Sequence, residues 1–203
     1  METQPAPVDE TPRKIRRRGF LARFLRDRSG STAIEFTILA IPFSLLVFAI
    51  LESCIAFAGQ EVMANATDAV ARQIRTGQIK AADLTAGMPG TNKLKSLICA
   101  QLEIVVANNC PGLLVDLRNF TKFSDAAAAK FDIVNGEIVL TNNGQVDPRG
   151  FVVDPGGAAA KNMLRVFYKW PVMTDLMAKS MANLNGGATL HFASVTWQNE
   201  AYN

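Results

Sequence analysis

Residues 28–59 read RSGSTAIEFTILAIPFSLLVFAILESCIAFAG. Sixteen of them, Phe36 to Leu51, form an uncharged apolar run bounded by Glu35 and Glu52, and the residues up to Gly59 extend its apolar character. Ile34 to Gly59 is 26 residues, about 39 Å as a helix and enough to cross a hydrocarbon core about 30 Å thick. Pro42 lies inside the run. It would harm a helix in water, but a spanning helix tolerates it because neighbouring groups satisfy the freed carbonyl.

Charge is distributed unevenly about this segment. The first thirty residues hold eight basic and four acidic side chains, a net +4, and the other 173 hold thirteen basic and fourteen acidic, a net −1. The first basic residue after the run is Arg72. The positive-inside bias therefore predicts a cytoplasmic N-terminus and an exported C-terminal region. The basic stretch Arg13–Gly30 carries Phe20, Leu21, Phe24 and Leu25 among its arginines. Two readings fit it: a short amphipathic helix on anionic lipid, or a topology signal without defined structure. Met1 to Pro12 is mostly polar, holds three prolines and reads as disordered. Because the excess positive charge is in the tail, no basic folded face is left to bind nucleic acid.

Downstream of the run the apolar residues keep a helical period. Ile55, Val62, Ala66, Val70 and Ile74 recur between polar positions, and Arg75 with Gly77 reads as a C-terminal stop. One helix from Thr32 to Thr76 is predicted, part membrane anchor and part amphipathic stalk. Next come a helix over Asn92–Glu103, a strand over Leu113–Phe120 and a hairpin over Phe131–Leu140 turning at Asn135-Gly136. Asn142–Gly157 is rich in Gly, Asn and Pro and is expected to be a mobile loop. A strand over Asn162–Trp170, a Met-rich helix over Val172–Leu184 and a final strand over Ala188–Gln198 complete the chain. The expected organisation is a leader at 1–30, a transmembrane helix at 31–59, a stalk helix at 60–77 and an α+β domain at 78–203. That domain is read as a small antiparallel sheet with short helices.

The functional inventory is thin. One histidine and three cysteines without a C-x-x-C are too few for a zinc site, and no cofactor motif occurs. Gly87–Lys93, GMPGTNK, is not a phosphate loop, and neither G-x-S-x-G nor H-E-x-x-H is found. The lone His191 reads as structural, and no enzyme is expected. Cys99 and Cys110, with ten residues between them in the exported region, read as a disulfide, with two buried thiols as the alternative. Cys54, at the end of the apolar run, has no partner in sequence reach.

The junction RDRSG-STAIEF-TILAIPF resembles the TadE-like family of minor pilins and pilus-assembly proteins of the Tad (Flp) type IV pilus system. The segments ANATDAVARQIRTGQ (64–78), CPGL from Cys110, YKWPVMTD from Tyr168 and the C-terminal WQNEAYN add to the resemblance. It implies cleavage by a prepilin peptidase after Gly30, making Ser31 the new N-terminus. Glu35 would be the fifth-position glutamate of the processed chain and Phe36 the aromatic that follows it. The departure is Ser31-Thr32, where small apolar residues are commoner. The resemblance also implies an inner-membrane subunit that meets pilins or other pilus-assembly proteins. Glu35 itself is costly if it faces lipid. It becomes favourable beside a helix N-terminus or an amine such as a freed Ser31 of a neighbouring subunit; the alternative is a glutamate at headgroup level. Two other readings stay open. Ala56-Phe57-Ala58 has the form of a signal-peptidase site, which would release a periplasmic protein. A membrane-tethered binding domain unrelated to pili would show the same composition and periodicity.

Overall fold

The computed structural model describes residues 30–85 and 90–201. The readings of Met1–Pro12 and of the basic stretch from Arg13 fall outside them, as do residues 87–89 of the Gly87–Lys93 stretch. The chain divides into two units, 1–46 and 47–203. The described part of the first unit is the beginning of helix α1, Ser31–Arg75, whose remainder belongs to the second. The second unit continues with α2 (Ala81–Thr85), α3 (Gly90–Leu102), β1 (Leu113–Phe120), α4 (Phe123–Ala128), β2 (Ala129–Val134) and β3 (Glu137–Asn142). It ends with β4 (Gln145–Val146), β5 (Lys161–Pro171), α5 (Asp175–Met181) and β6 (Ala188–Gln198).

The fold is α+β, and its antiparallel strands form two sheets where the sequence predicts one. The first has the order β1-β5-β6 and the second β2-β3-β4. β5 is the middle strand of the first sheet, and its composition shows why: Lys161–Pro171 is buried at almost every position, on both faces. Leu164, Val166, Tyr168 and Trp170 face the helices, together with Leu113, Val115 and Leu117 of β1 and Ala193 and Trp197 of β6. They pack on Met63, Ala66, Val70 and Ile74 of α1 and on Leu94, Ile98 and Leu102 of α3. The opposite face carries Phe167, with Leu114, Leu190 and Phe192, against Ile138, Leu140, Phe131 and Phe151. Phe167 lies at the centre of that cluster, 5.1 Å edge-on from Phe131 and 5.0 Å from Phe192. The result is three layers: helices, the first sheet, then the second sheet.

The β2–β3 hairpin turns at Asn135-Gly136, both at positive φ (52° and 74°), as a two-residue turn matching strand twist requires. Asn142–Gly157, expected to be mobile, is tied down at several points. The Leu117 amide donates to Val152 O at 2.8 Å, the Asp154 amide donates to Leu117 O at 2.7 Å, and Asp147 is buried. The Met-rich helix is shorter than expected: Asp175–Met181 rather than Val172–Leu184, with Thr174 as its N-cap.

Behind the second face lies a buried ionic network. Asp116 and Arg165 are cross-strand partners, and Arg165 donates twice to Asp116, at 2.6 and 3.0 Å. It also donates to the carbonyls of Ala129 and Lys130, at 3.2 and 3.0 Å. Arg118 bridges Asp116 and Asp147 and donates to Gly150 O at 2.6 Å. Burial alone would raise the Asp147 pKa, but hydrogen bonds from Arg149 and Arg118 outweigh it and hold the carboxyl well below the usual range. Two aspartates against two buried arginines leave the interior neutral, and each guanidinium nitrogen of Arg165 and Arg118 has a carbonyl or carboxylate partner.

Candidate functional site

Four of the residues singled out by sequence sit at the start of α1. Gly30 immediately precedes the helix, is exposed and has open space where a side chain would stand. Ser31 is the first helical residue. Glu35 follows one turn on, about 6 Å along the axis, and is exposed, as is Phe36. From there Ile38, Leu39, Ile41, Phe43, Leu45, Leu46, Phe48, Ile50 and Leu51 are all exposed. Spread over every side of the helix, they leave no polar face. The helix is long and apolar enough to cross a membrane, and none of its apolar window is buried. A helix that is apolar all round is of the kind that lies in a protein core or spans a membrane, and the described residues give this part no core.

Beyond this segment α1 is clamped by three side chains. Glu52 is buried, and its carboxylate accepts from the Met173 amide (2.5 Å), the Thr174 amide (3.3 Å) and the Thr174 hydroxyl (2.6 Å). Gly59 lies under the indole of Trp170, where any Cβ would collide with the ring. The Gln60 amide donates to Phe192 O at 2.8 Å and accepts from the Phe192 amide at 3.3 Å, so it satisfies that residue on the open edge of β6. The sequence reading missed all three. The signal available for Glu52 was a charge ending an apolar run, together with the Thr174-Asp175 cap pattern far away in the chain. No local pattern links the two.

The cysteine pair lies in the same 47–203 unit as these clamps. Cys99 of α3 and Cys110 are joined by a disulfide, with Cα atoms 5.7 Å apart. It ties the end of α3 to the turn before β1, where Asn109 and Cys110 both have positive φ and the Leu113 amide donates to Cys110 O at 3.1 Å. Cys54 is free and exposed. His191 is buried and stacked on Trp170 at 4.7 Å, and burial pushes its pKa down. An imidazole stacked on an indole is a packing contact. Among the described residues no three His, Cys, Asp or Glu side chains gather as metal ligands.

No curated protein and no solved structure matches the chain. Residues 30–72, from the glycine before α1 through most of that helix, match the family model of TadE-like protein, so the chain carries the TadE-like N-terminal region that the Gly30 junction resembles.

Proposed function

We propose that this chain is a non-enzymatic, minor-pilin-like subunit of a Tad (Flp) type IVb pilus. It is anchored in the bacterial inner membrane by the beginning of α1, with its N-terminus in the cytoplasm and the unit carrying the two sheets in the periplasm. A prepilin peptidase removes the leader after Gly30, and the partners are pilins or other pilus-assembly subunits. The observation that carries this reading is the helix itself. It begins one residue after an exposed, unhindered glycine, presents Glu35 in its second turn, and is apolar on every side to Leu51. The family match begins at the same glycine. The basic leader and the lack of any basic residue between Arg28 and Arg72 support the orientation.

Release by signal peptidase after Ala58 fits less well. Ala56 is part of the core, and cleavage there would remove Glu52, leaving the Met173 and Thr174 amides without their acceptor. N-terminal sequencing of the membrane-extracted protein tests the proposal. Ser31 as first residue is expected, and Gly30→Leu should retain the thirty-residue leader because the peptidase must approach a small residue closely. Gly59 as first residue, or cleavage unaffected by Gly30→Leu, would overturn it.

A further inference from the structure

Helix α1 changes surface character at one level. Its last exposed large apolar residues are Ile55 and Phe57. From Glu61 onward the exposed positions include Glu61, Asn65, Asp68 and Arg72. If this helix is a membrane anchor, as proposed above, the apolar–polar boundary lies between Phe57 and Glu61. Two connections of the folded unit reach the apolar side of that boundary. The Glu52 carboxylate holds the Met173 backbone beside residue 52, five residues and about 7.5 Å before Phe57 along the helix. A groove of about 480 Å³ joins Ile55 to Ile104, Val105, Trp170, Pro171 and Met173.

The two connections are unusually apolar for surface turns. After α3 the chain reads Glu-Ile-Val-Val-Ala, with Ile104 79 % exposed, and Met173 is 63 % exposed. Connections are normally polar because they run through water. Apolar tips continuous with a helix that is apolar on its exposed side suit the headgroup–acyl boundary of a bilayer. Glu103 and Asp175 are exposed at the flanks and limit the depth, because a carboxylate is expensive in hydrocarbon. The lining has one cation, Lys169, and it is paired with Glu137 at 2.7 Å. The surface is therefore suited to the acyl boundary and not to an anionic headgroup.

We infer that Ile104–Ala107 and Pro171–Met173 insert shallowly into the outer face of the bilayer. The inference rests on the anchored reading. The test uses the full chain in a Cys54→Ser background, with the Cys99–Cys110 bond kept. Single cysteines at Ile104, Met173, Phe48 or Ser124 are labelled with bimane, and the protein is reconstituted into phosphatidylcholine vesicles with or without acyl-brominated lipid. The expected result is a loss of emission in brominated vesicles for Ile104→Cys and Met173→Cys, as for Phe48→Cys, with none for Ser124→Cys. Adding phosphatidylglycerol should leave that loss unchanged. Quenching at position 48 with none at 104 and 173 would overturn the inference and leave the anchor standing. Positions 104 and 173 shielded from both brominated lipid and aqueous iodide would also overturn it, in favour of a protein occupant. No quenching at position 48 would remove the anchored reading and this inference with it.

Discussion

At the scale of single residues, Glu52 joins sequence-distant parts of the fold through three hydrogen bonds, two of them to backbone amides. A buried amide left without an acceptor costs about 1–3 kcal/mol. Glu52→Ala should therefore lower the unfolding free energy by roughly 2–4 kcal/mol, and Glu52→Gln by less, since it keeps one acceptor. Urea unfolding of the detergent-solubilised protein, followed by tryptophan emission, measures both. His191 gives a second residue-scale expectation. Burial lowers its pKa in the folded state, while the unfolded chain titrates near 6.5. The unfolded state therefore takes up a proton first as pH falls, and the stability present above about 6.5 is lost progressively below it. Because this is the only histidine, His191→Phe should abolish the change in urea midpoint between pH 7.5 and 5.5. An unchanged slope in the variant would mean that the stack on Trp170 does not carry it.

At the scale of elements, legibility followed period and length. β1 and β6 have the bounds that the sequence predicts, β6 from its alternation, and α1 differs by one residue at each end. The Asn135-Gly136 turn was legible because only a few residue types accept two successive positive φ values. The short α2 and α4 were not read, since five or six residues give no helical period. The ionic network was also missed, although Asp116 and Arg165 stand in the middle of apolar strands. A charge in a strand is usually read as facing water, and only the second sheet turns that face into an interior. Among the candidate site residues, the Gly30–Phe36 set rests on a local motif, whereas the Glu52, Gly59 and Gln60 clamps depend on residues more than a hundred positions away. Packing of α1 on the first sheet is tight at Gly59. Gly59→Ala should cost about 1–3 kcal/mol by overpacking, and Trp170→Phe added to it should recover part of the loss. The Cys99–Cys110 bond joins α3 to β1, so replacing both with serine should cost about 2–3 kcal/mol for a loop of this size. Alkylation of the denatured, unreduced protein with peptide mass mapping checks the bond: alkylated Cys99 and Cys110 would refute it.

At the scale of the whole molecule, the layers of the 47–203 unit are held together by two different kinds of contact. The helix face is mostly apolar, with Glu52, Thr67 and His191 among its buried polar groups, while the face between sheets mixes the Phe167 cluster with Asp116, Arg118, Asp147 and Arg165. Removing one partner of a buried pair leaves an uncompensated charge and costs about 3–5 kcal/mol. Arg165→Met should show that loss in urea unfolding. Asp116→Asn combined with Arg165→Met should cost less than the sum of the single changes, because the two residues share one interaction. Equal additive losses would mean that the network acts through separate contacts.

The strand order β1-β5-β6 has a consequence for the order in which the protein is made. The middle strand is contributed by residues 161–171, and its pairing with β1 joins positions as far apart as Leu113 and Tyr168. The last strand ends at Gln198, and the Glu200 amide reaches back to Arg75 O at 3.0 Å. A ribosome releases α1 and α3 long before any strand exists to cover their apolar faces, and β1 emerges with no neighbour. Long-range pairing of this kind comes late. The first sheet and its packing on the helices therefore close only once residues 161–200 are present, whereas the β2–β3 hairpin needs only residues 129–142.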